Sequence, residues 1–588
     1  PEDLSENLLE AFKENLEKAR SNLVRKHLLQ RTDEGTYRLH QLIREFWQEK
    51  LKLSPQVGNL KQLFVALMVT VAKQISKSST RDEIATVIPV MPHVEEVANN
   101  MVEYLENKDL GYPFLGLIDF YTGQGLYELA ETWCQNFLEV VKARLGSENL
   151  SVAAVKKKLG LIYKLQGRYS ESENVYLQAL QLSQNSLEDN DPLVTTIQNN
   201  LALIYTLQGR FLEAEELFIK SFKNRNTEKN YDSNLITSFN DLATLYFSLG
   251  RYKEAEKLLL KALELNKTQV TQDSIGMISL FNNIAAIYQR QGSYDKAESI
   301  YLEALEVGKR LLGDNHPDFA STLNNMAVVY KYQGRYSEAE QLYLQALEIQ
   351  RRLLGNNHPS VATNLDNLGQ VYSLKKDYTQ AEICLQEALK IRKILLGENH
   401  PDFAVTLNNL ALLLVEKGNY NKAQTLFIQS LKIKEVLVGK NHPDFAITLN
   451  NLGLIYFYQG EYKQAEKNYL QALKIRQSTL GNEHPGVAET LHNLAELYLI
   501  TRKFSQAESL WKQALEISTK SLGDEHPDTI LYHRSLHHLP LLRSIQPEKI
   551  EQIFRLYRSE QEIAKGRSRK HNNPLAEYKN LADDNQDD

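Results

Sequence analysis

The sequence predicts an all-α chain built as a solenoid of repeated helix hairpins, and three recurrences predict it. Glycines fall at Gly125, Gly167, Gly209, Gly250, Gly292, Gly334, Gly418 and Gly460, in steps of 42 residues with one step of 41, and Lys376 and Arg502 fill the two places in that register where glycine is missing. Two residues after each of these slots stands an aromatic: Tyr127, Tyr169, Phe211, Tyr252, Tyr294, Tyr336, Tyr378, Tyr420, Tyr462 and Phe504. A G-x-x-H-P string then separates later repeats, beginning at Gly313, Gly355, Gly397, Gly439, Gly481 and Gly523. At 588 residues the chain exceeds what one hydrophobic core serves, and a period of this length decides for an array that builds its core piecewise.

Each element of the repeat has a physical reason. Seven residues before the slot sits a small residue (Gly160, Ala202, Ala243, Ala285, Ala327, Gly369, Ala411, Gly453, Ala495), and five after it sits another (Ala214, Ala255, Ala297, Ala339, Ala381, Ala423, Ala465, Ala507). Small residues there let helix A and helix B approach closely, with Tyr205, Tyr288, Tyr330 and Tyr456 expected as the large partners beside them. The slot suits glycine because helix A must end in a left-handed cap, so Lys376 and Arg502 carry a small conformational penalty. Strings such as SEAEQLYLQALEI space apolar residues by three and four, as an amphipathic helix B requires. In the G-x-x-H-P string the glycine caps helix B, and the proline opens the next helix A where its missing N–H does no harm. The histidines (His316, His358, His400, His442, His484, His526) recur once per repeat with no second ligand beside them, which favours structural loop residues over metal ligands.

Composition excludes several classes. A net charge of -6 gives no general pull toward nucleic acid or an anionic membrane. Two cysteines, Cys134 and Cys384, make neither a disulfide framework nor a zinc site and fit a reducing, cytoplasmic setting. The longest apolar run, residues 63–72, is about half a membrane span. No phosphate loop, H-E-x-x-H or G-x-S-x-G motif occurs, and the paired carboxylates of AEAE-type strings are expected as solvated charge, so no catalytic residue, metal or cofactor is assigned. The opening Pro1 and the absence of signal-peptide regions are read as a fragment, or a gene product whose start lies upstream.

These strings resemble tetratricopeptide repeats of the 42-residue, kinesin-light-chain-like kind, where TLNNLALLY, GRYxEAExLYLQALEI and LGxxHPDxA recur. The resemblance implies a right-handed superhelix of antiparallel helix pairs, helix A lining a concave surface, over ten hairpins in residues 116–521. Residues 522–558 are expected as C-terminal capping helices, and 559–588 as a disordered tail. Residues 55–115 read as an irregular helical linker. Residues 1–54 carry Tyr37, Leu39, His40, Leu42, Glu45 and Phe46 in a string that resembles the winged-helix end of NB-ARC signalling ATPases, with a strand at Tyr37–Leu39 between helices. That resemblance implies an NTPase domain upstream.

Nine residues before the slot, helix A carries Asn200, Asn283, Asn325, Asn367, Asn409, Asn451 and Asn493, while Lys158 and Asp241 break the row. In peptide-binding relatives the matching asparagine bonds the backbone of an extended ligand, which an amide suits because it both donates and accepts. The alternative is a ladder that fixes helix stacking, and both can hold. Specificity is expected two and three residues before the slot, from pairs that vary: Thr206 with Leu207, Phe247 with Ser248, Gln289 with Arg290, Lys331 with Tyr332, Phe457 with Tyr458. The function expected is a non-enzymatic scaffold holding a protein or peptide in a groove, as the sensor arm of a signalling NTPase. The alternatives are a free-standing kinesin-light-chain-like adaptor or a self-assembly scaffold; a nucleic-acid partner is not expected.

Overall fold

The computed structural model of the chain describes residues 29–31, 37–39, 57–75, 87–225, 233–269, 275–314 and 316–543. It divides into two compact units, one of residues 1–74 and 90–116, the other of residues 75–89 and 117–588. In the first unit, strands β1 (Leu29–Arg31) and β2 (Tyr37–Leu39) pair antiparallel with Leu29 opposite Leu39. The strand expected at Tyr37–Leu39 is present. Leu29–Arg31, read from sequence as helix running into a turn, is instead its partner, because a strand this short needs a neighbour to satisfy its backbone. The rest of the winged-helix-like remnant lies outside the described residues, as do the expected capping helix after residue 543 and the tail. Helices Val57–Gln74 and Met91–Asn100 contact one another, and Val65, Met68, Val94 and Val97 on them are buried.

In the second unit helix A of successive repeats spans Tyr112–Gly123 (which straddles the division between the units), Leu150–Leu165, Pro192–Leu207, Ser233–Ser248, Ile275–Arg290, Pro317–Tyr332, Pro359–Leu374, Pro401–Glu416, Pro443–Tyr458 and Pro485–Ile500. Helix B follows at Tyr127–Leu145, Tyr169–Gln184, Phe211–Arg225, Tyr252–Gln269, Tyr294–Leu312, Tyr336–Leu354, Tyr378–Leu396, Tyr420–Val438, Tyr462–Leu480 and Phe504–Ser521, and an eleventh helix A at Pro527–Leu542. The slot is the left-handed turn expected: its glycines have φ of 70 to 76°, and Lys376 and Arg502 adopt 64° and 62° in the same place. The aromatic two residues on opens helix B in every repeat.

The core differs from expectation in one respect. The large side chain that fills the gap beside the small residues comes from helix B, nine residues after the slot: Tyr176, Phe218, Tyr301, Tyr343, Phe427, Tyr469 and Trp511 are all within 1% of fully buried. Gly160 and Gly453 lie so close under the rings of Tyr176 and Tyr469 that an added Cβ would sit 2.7 and 2.8 Å away. The tyrosines of helix A face outward from this contact and serve as links between repeats. Tyr288 and Tyr330 donate to Glu256 and Glu298 of the preceding helix B at 2.8 and 2.9 Å, Tyr456 accepts from Gln424, and an arginine guanidinium covers the rings of Tyr205 and Tyr330 at 4.0 and 3.7 Å. The helix A phenols thus reach polar partners on the neighbouring repeat, whereas the fully buried Tyr176 and Tyr343 of helix B fill space with hydroxyls that have no hydrogen-bond partner.

The array also coils back on itself. Each loop histidine caps its helix A, its Nδ1 accepting from the N–H two residues on at 2.9 to 3.2 Å. Nε2 of His358 then lies 3.2 Å from the carbonyl oxygen of Gly123, and that of His400 3.1 Å from Leu165, each 235 residues earlier in the chain and so between five and six repeats back. His442 and His484 lie near the carbonyls of Leu207 and Ser248, but the His442 Nε2 is buried without a hydrogen-bond partner, so the close contact is made at His358 and His400. Leu480 joins the Phe211 cluster and Leu522 the Tyr252 cluster one turn back. The glycine slot therefore has a second cause: a Cβ on Gly167 would stand 2.5 Å from Pro401 Cδ, while around Gly418 and Gly460, at the open edge, nothing lies within 4 Å. Lys376 and Arg502 both occur at that open, exposed edge.

Candidate protein-binding face

Consecutive A helices touch one another, which puts helix A on the tighter, concave side of the coil. The asparagine row lies on this face, and all seven members are half-buried. Where their amides are engaged, they form a ladder: Asn283, Asn367 and Asn493 donate to Asn240, Asn324 and Asn450 of the preceding repeat at 2.6, 3.3 and 3.1 Å. The acceptors stand ten residues before the slot. Other members of that row donate onward, Asn199 to Ser238 at 2.9 Å and Asn408 to Thr448 at 3.0 Å. Sequence reasoning singled out the donor row and missed this second row, although its period was as regular.

The two breaks in the row are compensated locally. Lys158 pairs with Asp119, and Asp241 sits near enough to Lys164 to offset part of the burial that depresses that ammonium. Asp241 cannot donate, and the Asn199 carbonyl it would have served is buried without a partner. In the repeat of slot Lys376 the acceptor is Asp366, which pairs with Arg392; both are nearly fully buried, with the Thr406 hydroxyl completing the cluster. Burial pushes the Asp366 carboxyl up, and Arg392, Thr406 and Asn409 oppose that rise. Lys434 and Arg476 occupy the Arg392 position in the next two repeats, and each donates to the first turn of the following helix A and to its threonine.

The specificity positions divide. Lys331 donates to Gln370 at 2.9 Å, Tyr332 stacks on Tyr294 with centroids 6.1 Å apart, and Tyr458 stacks on Tyr420 at 5.6 Å, all three partly exposed. Phe457 is 0% exposed and packs edge-on against Tyr462, so it belongs to the core and is withdrawn as a ligand contact. Its neighbour three residues before the slot elsewhere is often polar, which hid that this position turns inward. Sequence reasoning also missed the exposed aliphatics of the same helix face: Val405, Leu412 and Ile447 are each about two-fifths exposed, and Val405 with Asn409 and Leu412 follows the spacing that puts residues on one helical face.

The paired glutamates are not the solvated charge expected. Arg335 bridges Glu338 of its own helix B and Glu298 of the preceding one, while covering the ring of Tyr330, and Arg168, Arg210 and Arg251 repeat the pattern. The guanidinium holds the Glu338 carboxyl below its usual range. These clamps tie neighbouring repeats together.

The tetratricopeptide repeat family model matches residues 113–185, 193–268, 276–350, 318–394, 374–436, 402–478 and 444–520. The chain belongs to the tetratricopeptide repeat family. Arrays of this family are generally protein-binding scaffolds and typically non-catalytic. Among solved structures, this tetratricopeptide repeat chain is similar to BtubC (BKLC) from P. vanneervenii, at 27% identity over 42% of this chain and 92% of that one, TM-score 0.31. It is similar to the kinesin light chain nearly identical TPR-like repeats of Podosopora anserina, at 22% identity over 35% and 98%, TM-score 0.30. It is also similar to Rap protein complexed with Competence and Sporulation Factor, at 15% identity over 61% and 99%, TM-score 0.37. A comparison with curated proteins found no match. The family matches lie within residues 113–520 and give no assignment to the residues before them. Among the described residues no helix is long and apolar enough to cross a membrane.

Proposed function

We propose that this array is a non-enzymatic scaffold that holds an extended segment of another protein along its helix A face. The asparagine row is the observation that supports this most. Asn200, Asn283, Asn325, Asn367, Asn409, Asn451 and Asn493 keep partial exposure on one face, and an amide both donates and accepts, so the row suits the alternating groups of a ligand backbone. Lys331, Tyr332 and Tyr458 flank that row, and Val405, Leu412 and Ile447 offer seats for aliphatic side chains. The two buried free thiols fit a reducing, cytoplasmic setting, which belongs to the same proposal.

Peptides selected from a displayed random library on the full chain, then titrated by fluorescence anisotropy, test this. Val405→Asp with Ile447→Asp weakens such peptides at least ~10-fold, about 1.4 kcal/mol, with an unchanged unfolding midpoint. Peptides indifferent to the pair, or none selected, contradict it.

The string around Tyr37, Leu39, His40 and Phe46 supports a wider reading, in which the array is the sensor arm of a signalling NTPase. An in-frame phosphate-binding loop in the coding region before the Pro1 codon would support that reading; a start codon close by would leave a free-standing adaptor. Self-assembly by end-on stacking is disfavoured, because Lys376 and Arg502 present long side chains at the open edge where the covered slots all carry glycine.

A further inference from the structure

We propose that the coil is a pH-sensitive latch: the His-Pro loops hold successive turns together at neutral pH, and protonation of the loop histidines lets the turns part while the repeats stay folded. The geometry demands one protonation state. Nδ1 accepts from the helix N–H two residues on, so it carries no proton, and Nε2–H is the donor to the carbonyl one turn back. A second proton would go to Nδ1, where it faces another donor and the carboxylate oxygens nearest the Nδ1 of His400 and His442 lie beyond hydrogen-bond distance, so the helix cap and the turn contact are disturbed by the same event.

The charged groups around the rings do not rescue the cation. His400 has the Asp402 carboxylate 4.0 Å from Nδ1 but Arg392 behind it, and His442 has Asp444 at 3.8 Å but Lys434 behind it. Tyr127 and Tyr169, from the facing turn, lie near Asp402 and Asp444. His484 meets Arg476 and Arg290, His526 has Asp528 at 3.9 Å, and His358 meets the Gly123 carbonyl. Burial is the largest influence on His358, His400, His442 and His484 and depresses all four, His484 to about 4.

A parted turn returns each ring to water and its ordinary value of 6.5, so parting takes up protons. The latch is complete above that pH and is lost progressively as pH falls toward 4. Because the contacts recur once per repeat, they act in one row and bias the same opening.

Small-angle scattering and far-UV circular dichroism on the full chain, read along a falling pH series, test this. The radius of gyration rises as pH falls below 6.5 while helicity holds. Replacing His358, His400, His442 and His484 by asparagine keeps a cap, as Asn149 does naturally at 2.9 Å, but cannot titrate. That variant is already expanded at neutral pH, with a flat profile. At neutral pH Gly167→Ala with Gly209→Ala also expands the chain, since each Cβ meets the next turn, whereas Gly418→Ala with Gly460→Ala, at similar φ, does not. A radius that stays constant until helicity collapses overturns the proposal, as does an asparagine variant as compact as the native chain or two glycine pairs that behave alike.

Discussion

His400 and Leu165 stand 235 residues apart in sequence and 3.1 Å apart in space, joined by a ring nitrogen and a helix-terminal carbonyl. That carbonyl is one of the groups a helix end leaves unpaired, and the loop of a later turn satisfies it. The glycine beside it is thereby constrained twice. Gly418→Ala is expected to cost about 1–2 kcal/mol for the left-handed backbone alone. Gly167→Ala adds roughly 1–3 kcal/mol of overpacking against Pro401. Urea unfolding of the two variants checks the difference; equal losses would remove the second constraint.

The buried Asp366 and Arg392 pair gives a sharper test. Arg392→Gln leaves a carboxylate buried without its cation and is expected to cost about 3–5 kcal/mol. Adding Asp366→Asn recreates the combination of the preceding repeat, where Gln350 bonds Asn364 at 3.2 Å and Asn324 holds the Asp366 position. Most of the loss is then recovered, as measured by the unfolding midpoint of the double variant against each single one.

Tyr176 has a buried hydroxyl with no partner, under which Gly160 leaves room for the ring. Tyr176→Phe removes a polar atom that makes no bond and is expected to be neutral or stabilising by up to about 1 kcal/mol. Phe218 and Ala202 hold the same two positions one repeat later. Tyr176→Phe is therefore also expected to soften Gly160→Ala, which thermal unfolding of the double variant would show.

Removing an arm of the ladder has a modest structural cost. Asn493→Ala leaves the Asn450 carbonyl without its donor, an expected loss of about 1–2 kcal/mol. Asn200→Ala is expected to cost less, because the position ten residues before the preceding slot is Lys157, whose side chain cannot accept. Asn367→Ala with Asn409→Ala therefore reports on stacking and binding together, which is why the exposed aliphatics are the cleaner probe of the ligand.

The Arg335 clamp is partly exposed, so its electrostatic share is screened. Arg335→Ala is expected to cost about 1–2 kcal/mol when the cover over Tyr330 is included. Part of that loss, and not all, disappears in unfolding experiments at high salt. Glu338, held ionised by this arginine, contributes above its ordinary pKa and ceases to as pH falls through its lowered one.

The hairpin architecture was legible because its signals are local. A glycine that caps a helix, an aromatic that opens the next and a small residue at a crossing recur in register, and even Lys376 and Arg502 obey the turn that the period assigns them. What depends on distant parts of the chain was not legible. Nothing in the spacing tells that His400 meets Leu165, since coil pitch emerges from small rotations summed over many repeats. The inward turn of Phe457 escaped for a related reason: at the end of helix A a residue can face the groove or the next helix, and only packing decides.

Crosslinking from defined positions tests the binding face most directly. A photoreactive amino acid at position 412 or 454, on helix A, is compared with one at 302 or 344, where Leu302 and Leu344 of helix B are about half exposed. A peptide selected on the native chain is expected to crosslink from 412 and 454 and to leave 302 and 344 unlabelled. Crosslinks confined to 302 and 344 would put the partner on the outer face and contradict the account.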